Sequence, residues 1–461
     1  MDANDAQPPP PDSGRIALRR MTLTLIVGAL AAIFDSTIMS VAIDDLADQL
    51  HTSLGTVQWV STAYLLTLGA TIPAVGWAQS VLGGKRLWIL ALGGFGAGSL
   101  LCAIAWNAPS LIIFRVIQAI GGGTMMPLMT TLIMQATRGR DIGRTMSLIT
   151  VPTALGPIIG PVLGGLILHL GDWRWIFLFN LPFCAAGGYL AVRHLPADGP
   201  RSRTRLDAVG LLLLSPGIAA AIYGLSQLAD GFASLKAWPP LTAGLVLIAA
   251  YLAWALRRGP DALINVRLLR HRALASSSVL VFLSGAALFG PMLLLPLYWQ
   301  QVRGETPLGA ALLLIPQGVG ALASRAVGGR YMDRFGPRPV AVAALAATCS
   351  ATVPFGFVTA TTSNIALMAT LFVRGLGLGA AMIALMGAAF IGLEHQEIPG
   401  ASIISRVAQQ VGGSAGTALL AMILQQASTS AVTPAALASG FANAFWWATA
   451  FTATAVPLAL L

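Results

Sequence analysis

The chain has 461 residues, 56% of them apolar and only 10% charged, with a mean hydropathy of +0.77 and a formal net charge of +10. A soluble domain of this length does not have that composition, so the sequence describes an all-α polytopic membrane protein. The three cysteines, Cys102, Cys184 and Cys349, lie far apart in apolar runs, which excludes a disulfide framework or a thiolate metal site.

Residues 1–20 read as a Pro- and Asp-rich tail closed by Arg15, Arg19 and Arg20. The apolar stretch that follows is too long for a signal peptide and reads as an uncleaved first helix. Runs long enough to span a bilayer follow at 21–42, 57–79, 87–106, 110–135, 142–168 and 174–193. Two more lie at 207–228 and 239–257. The last six lie at 273–299, 306–329, 339–359, 364–391, 400–427 and 439–461. The expected architecture is therefore fourteen transmembrane helices. An N-terminal six-helix bundle covers 21–200, two extra helices with basic loops cover 201–272, and a C-terminal six-helix bundle covers 273–461.

Charge placement orients this plan. With both termini cytoplasmic, the inner loops and the tail hold twenty of the 27 Lys and Arg residues. Outer loops hold three, Arg174, Lys236 and Arg303, and four fall within helices: Arg115, Arg325, Arg374 and Arg406. This bias follows the positive-inside rule for a cell-membrane protein and accounts for the basic balance without a nucleic-acid partner. Asp44, Asp45 and Asp48 read as a solvated outer loop.

An internal repeat is visible. Gly76, Gly83 and Lys85 follow the second span, and Gly329, Gly336 and Arg338 follow the tenth, each 253 residues later. Parallel halves of this kind are a transporter architecture, with the substrate site near the midplane between them.

The full second copy, Gly329-x-x-x-Asp333-Arg334-x-Gly336-x-Arg338, resembles the inner-loop motif of the major facilitator superfamily. The six-plus-two-plus-six plan is similar to its fourteen-helix drug–proton antiporters, the EmrB/QacA type. Phe34-Asp35-Ser-Thr-Ile-Met-Ser-Val-Ala resembles that family's first-helix motif, and Leu111–Gly123, with Arg115 and Gln118, its fourth-helix motif. Asp172–Phe177 and Arg374–Gly379 are also similar to family stretches. Gly156-x3-Gly160-Pro161-x2-Gly164-Gly165, preceded by Pro152 and with Pro157 inside it, resembles the antiporter motif of the superfamily's exporters, with Ser147 where the full pattern has a glycine. The N-terminal inner loop departs from the family by carrying Ser80 and Val81 where Asp and Arg are usual. The resemblance implies two bundles rocking around a central site, driven by a proton gradient and without a cofactor.

Asp35 is the residue around which function is organised. It is the carboxylate placed firmly inside a helix, and such a group marks a proton or cation site. Counted from the outer helix ends, Asp35 and Arg115 both lie roughly 8–11 Å deep, so Arg115 is its expected partner. A guanidinium favours the carboxylate and desolvation favours the acid, so a change in either can load or release a proton. The alternative is a fixed structural ion pair. The resemblance adds that these two positions match family residues tied to proton coupling.

Gly156, Gly160 and Gly164 recur every four residues and form a smooth face for close helix approach, beside prolines that permit bending. Arg374 sits near mid-depth with no acidic partner in its half; it either caps backbone carbonyls or faces a cavity and favours an anionic or dipolar ligand. Trp59, Tyr64, Gln118, Phe289, Tyr298, Gln409 and Gln410 are candidate cavity residues for a loosely specified amphipathic ligand. Gly83-Gly84-Lys85-Arg86 lacks the spacing and the hydroxyl of a nucleotide-phosphate loop, so a proton gradient rather than ATP is the expected energy source. No metal set is apparent. The reading is a non-enzymatic, proton-coupled efflux transporter for amphipathic or lipophilic small molecules, working as a monomer in the bilayer, with any adaptor protein left open. Uptake symport, facilitated entry, or export of a dedicated metabolite or lipid are the alternatives.

Overall fold

The computed structural model describes residues 11–39, 42–137, 171–199, 205–228, 236–429 and 434–460, together with Met146, Gly156, Ile159, Gly160 and 162–169. Its helices follow the apolar runs. We label them α1 (Pro11–Ile38), α2 (Leu54–Thr71, extended through a 3-10 turn by Val75–Leu82), α3 (Gly84–Ala103) and α4 (Ala108–Thr137). Next come α5 (helical over 162–169), α6 (Asn180–His194, led in by Arg174–Leu178), α7 (Ala208–Gln227) and α8 (Trp238–Arg258). The last six are α9 (Arg272–Gln301), α10 (Ile315–Phe335), α11 (Pro337–Thr352), α12 (Asn364–Ala388), α13 (Ile398–Thr429) and α14 (Pro434–Leu458).

Among the described residues, twelve helices are long and apolar enough to cross a membrane. The other two expected spans are α5, described only in part, and α14. The latter is 25 residues long, but Asn443, Trp446, Trp447 and three threonines dilute its apolarity.

Two boundaries differ from expectation for local reasons. α1 is already helical at Pro11, the first described residue, rather than near Met21, because the Arg- and Leu-containing tail suits a helix. The tenth span is broken at Leu314. Pro316 has no N–H to offer the Leu312 carbonyl, so the helical hydrogen-bond ladder is interrupted there and Pro307–Leu313 forms a separate short helix.

The helices pack as two groups with a pair between them. α1 lies against α4 and α6, α3 against α4 and α6, and α2 against α4. In the second group α9 packs on α13, α12 and α14, and α12 on α10 and α11. α7 and α8 pack closely on each other through Gly217, Gly224 and Gly244, where any Cβ would meet the partner helix. α7 also touches α2 of the first group and α13 of the second.

The 253-residue repeat is present in the backbone. Gly83 (φ 88°, ψ 158°) and Gly336 (φ 84°, ψ 169°) each end one helix and begin the next in a conformation open essentially only to glycine.

The core divides unevenly along the helix axes. At the end where the basic loops lie, one apolar cluster joins both groups: Met129 and Ile133 of α4 meet Leu274, Ile383, Phe390, Ile398 and Ala401. At the opposite end the clusters are separate. Phe34, Val60, Trp173 and Phe177 belong to the first group, and Leu295, Trp299, Phe441 and Phe445 to the second.

Exposure along α4 and α12 follows the same division. Ile113, Ile117 and Ile120 of α4 are exposed at 59%, 40% and 52%, whereas 121–125 and 127–131 are buried. On α12, Ile365, Phe372 and Val373 are exposed and 377–385 are buried throughout. The groups thus meet at the basic end and separate towards the other, leaving a gap between them. Ser402 Oγ donates to the Pro127 carbonyl at 3.1 Å across the closed end, and Gly76 lies against Ile403.

Replacing Gly336 by alanine forces a side chain into the left-handed turn, at about 1–3 kcal/mol. A lower melting temperature of the detergent-purified protein is expected for Gly336→Ala. None is expected for Gly199→Ala, where nothing lies within 4 Å of the added carbon.

Candidate functional site

Asp35, seven-eighths of the way along α1, is fully buried, with 0% of its surface exposed, and Arg115 on α4 is 1% exposed. Charges so far from water persist only when paired and fully hydrogen-bonded. Arg115 Nη1 donates to Asp35 Oδ2 at 2.6 Å. The other carboxylate oxygen, Oδ1, accepts from Gln118 Nε2 at 3.0 Å and Asn180 Nδ2 at 2.9 Å. Ser99 Oγ on α3 accepts from the same two amides, at 2.7 and 3.0 Å, and so fixes their orientation. Tyr64 on α2 lays its ring 4.0 Å from the Arg115 guanidinium, a cation–π contact.

Arg115 has further acceptors within reach. Nη1 also donates to Gln118 Oε1 at 2.7 Å, and Nε to the Val60 carbonyl at 3.4 Å. The guanidinium is thus held by neutral acceptors as well as by the carboxylate.

The pairing of Asp35 with Arg115 is the one anticipated from depth. Gln118 and Tyr64, expected in a ligand cavity, are instead buried around that pair. Asn180 and Ser99 were not anticipated. The available signal was a lone amide opening α6 and a serine among the glycines of α3.

The glycine face anticipated around the fifth span lies on the other side of α1. Added Cβ atoms would meet Ile33 at Gly156, Thr37 at Gly160 and Ile38 at Gly164, while Gly165 faces open space. Pro152, Pro157 and Pro161 lie outside the described residues. α1 is therefore held between the polar cluster and a surface of glycines.

The second group carries a counterpart of the polar cluster. Arg374 on α12, 1% exposed, donates from Nη1 to Gln317 Oε1 (2.8 Å), from Nη2 to the Ala287 carbonyl (2.6 Å) and from Nε to Thr352 Oγ1 (3.3 Å). Gln317 and Thr352 stand 253 residues after Tyr64 and Ser99. The carboxylate is missing: residue 288, the same distance after Asp35, is leucine. Pro291 explains the carbonyl bond. It has no N–H for the carbonyl four residues earlier, and Arg374 supplies the donor. Of the two readings of Arg374, the geometry matches the carbonyl cap.

The remaining expected cavity residues scatter. Tyr298 is buried and donates to the Thr359 carbonyl at 2.6 Å. Phe289 is partly exposed and packs on Gly413, and Trp59 is exposed beside Tyr223 of α7. Gln409 accepts from Arg406 at 2.7 Å, and Gln410 is half-buried on α13.

At the inner loops, Gly76 meets Ile403, Gly329 is buried in α10 with Asp333 in the last turn of the same helix, and Arg334 lies 5.1 Å from the Phe335 ring. Arg338 follows the Gly336 turn, in the first turn of α11. In the first copy, which lacks the usual carboxylate, Asp198 comes from the segment after α6. It accepts from the backbone N–H groups of Lys85 (2.8 Å) and Arg86 (3.2 Å). Lys85 Nζ in turn donates to the carbonyls of Val192 and Leu195. Asp198 was not anticipated, because no local pattern links it to a loop more than a hundred residues earlier.

Two helical bundles related by a parallel repeat, with a charged cluster sunk in one of them, define a polytopic secondary transporter. The Major Facilitator Superfamily model matches residues 25–417, and the chain belongs to that family of membrane transporters. It is 37% identical over 418 residues to the multidrug resistance protein B homolog of Mycobacterium tuberculosis, covering 90% of this chain and 77% of the relative. It is 30% identical over 431 residues to the putative multidrug resistance protein MdtD of Yersinia enterocolitica, covering 92% and 87%. Among solved structures, the human organic anion transporter MFSD10 superposes with a TM-score of 0.64 at 15% identity, over 97% of this chain and all of that one. The proton:xylose symporter XylE superposes with a TM-score of 0.63 at 15% identity, over 96% and 97%. At such identities the likeness is one of fold.

Removing one partner of a buried ion pair costs about 3–5 kcal/mol, because the other charge is left uncompensated. Arg115→Leu is therefore expected to lower the melting temperature sharply. The neutral double substitution Asp35→Asn with Arg115→Gln should recover much of that loss, as read by thermal unfolding in detergent.

Proposed function

We propose that this transporter exports amphipathic small molecules in exchange for protons, by alternating access between its two bundles. The observation that carries the reading is Asp35: among the described residues it is the one carboxylate away from the ends of a spanning helix, and it is held by a guanidinium with alternative acceptors. The multidrug-resistance names of the relatives and the glycine face packed on α1 support export over uptake. In this reading fourteen helices span the cell membrane, both termini are cytoplasmic, and the gap between the bundles opens outward. Proton arrival at Asp35 loosens Arg115, and the α1–α5 glycine contact lets α1 shift as the bundles rock.

Asp35→Asn keeps size and hydrogen bonding but cannot titrate. It should abolish pH-driven dye efflux in proteoliposomes and substrate-induced proton release from the purified protein, while the protein stays folded. Proton release equal to that of the parent would place the carrier elsewhere. Orientation is read separately. Single cysteines at Gly199 and Asp261, in a background free of native cysteines, should react with impermeant reagents only from the cytoplasmic side.

A further inference from the structure

Arg406, like Arg374, is an intramembrane charge that the Asp35 site does not use; Arg374 caps a freed carbonyl, whereas Arg406 bonds a side-chain amide. It lies eight residues into α13, ~12 Å along the helix from its basic end, and is half-buried. Nη1 donates to Gln409 Oε1 at 2.7 Å, and among the described residues no carboxylate lies within ion-pair distance.

Its position is set by Ser402, whose hydroxyl bonds to Pro127 of the opposite bundle. Residues four apart share a helix face, so Arg406 looks the same way as Ser402, one turn (~6 Å) further from the closed end. On α4 the buried stretch continues through Gly121, and exposure begins at Ile120, ~10 Å from Pro127, and continues through Ile117 and Ile113. Arg406 therefore stands just beneath the floor of the gap, which its long side chain can reach, with Gln410 one turn beyond it at the level of Ile120.

The charge balance of the described spanning helices points the same way. Besides Arg325, five residues from Arg330 at the basic end of α10, the spanning helices carry Arg115, Arg374 and Arg406, which face a single interior carboxylate among the described residues, Asp35, already paired with Arg115. Arg374 is bonded only to neutral oxygens, and so is Arg406. Two positive charges thus remain without counter-charge in a region of weak screening. A guanidinium presents a fork of donors that matches a carboxylate or sulfonate, and the walls leading to it are isoleucines.

We infer that Arg406, flanked by Gln409 and Gln410, receives an acidic group of the exported molecule, so that the transporter prefers lipophilic anions to lipophilic cations. The inference rests on the export reading and names its substrate class. Arg374 adds its field from the wall without touching the ligand. Inward movement of a proton and outward movement of an anion shift charge in the same direction. An inside-negative potential should therefore accelerate the exchange even without a pH gradient.

The test uses the purified full chain in proteoliposomes with two xanthene dyes of similar size, fluorescein as the anion and rhodamine 6G as the cation. The parent should move fluorescein faster. Arg406→Gln should lower the fluorescein-to-rhodamine rate ratio about tenfold, as expected for loss of one charge-assisted contact, with Arg406→Lys keeping most of it. Proton-coupled movement of rhodamine 6G without fluorescein would overturn the anion subsite and leave export standing, whereas movement of neither dye would overturn both. Equal loss of both dyes in Arg406→Gln would also overturn the subsite. The dye ratio of the parent needs no substitution, so it decides the matter even where Arg406→Gln fails to fold.

Discussion

A carboxylate taken fully out of water costs several kcal/mol, and almost everything around Asp35 can be understood as compensation for that cost. The cation comes from α4, the two amides from α4 and α6, and the hydroxyl that orients them from α3. One anion thereby sets the relative register of four helices. The opposite face of α1 carries no such demand and meets glycines. α1 is chemically pinned on one side and sterically smooth on the other.

Comparison of the bundles shows what evolution of the repeat kept and what it dropped. The glycine turns at residues 83 and 336 share one backbone shape. The buried arginines on α4 and α12 both reach a partner at the Tyr64/Gln317 position and lie near the Ser99/Thr352 position. Only the first bundle has a group there that can titrate. The second replaces it with a carbonyl freed by Pro291, so the Arg374 guanidinium there is met only by neutral oxygens. Similar frameworks thus carry different electrostatic tasks.

The spans, the repeat and the Asp35–Arg115 pair were legible in the sequence because they depend on length, spacing and depth, which one dimension records. Rotation about each helix axis was not. Lipid tails are as apolar as a leucine core, so the periodicity that separates inside from outside in a soluble helix is muted here. Gln118 and Tyr64 were therefore noticed as polar or aromatic, yet assigned to a cavity rather than to Asp35. Asn180 and Ser99 were missed because each contributes one ordinary polar group whose value arises only where four helices converge. Asp198 repairs the missing carboxylate of the first inner loop from a distant segment, and only the folded chain shows that substitution across space.

The α7–α8 pair has a mechanical consequence. Asp207 caps α7 through Gly210 N–H and also accepts from Trp254 of α8 and from the Leu263 N–H. Tyr251 both donates to and accepts from Ile264. These bonds tie the hairpin to the segment that leads into α9 of the second bundle. Its contact with α2 is of another kind: Gly69 meets the aliphatic side chains of Ile218 and Ile222, and the Trp59 ring lies beside Tyr223. The hairpin is thus joined to one bundle by directional hydrogen bonds and laid against the other through apolar and aromatic surface, so the second interface is the easier of the two to slide.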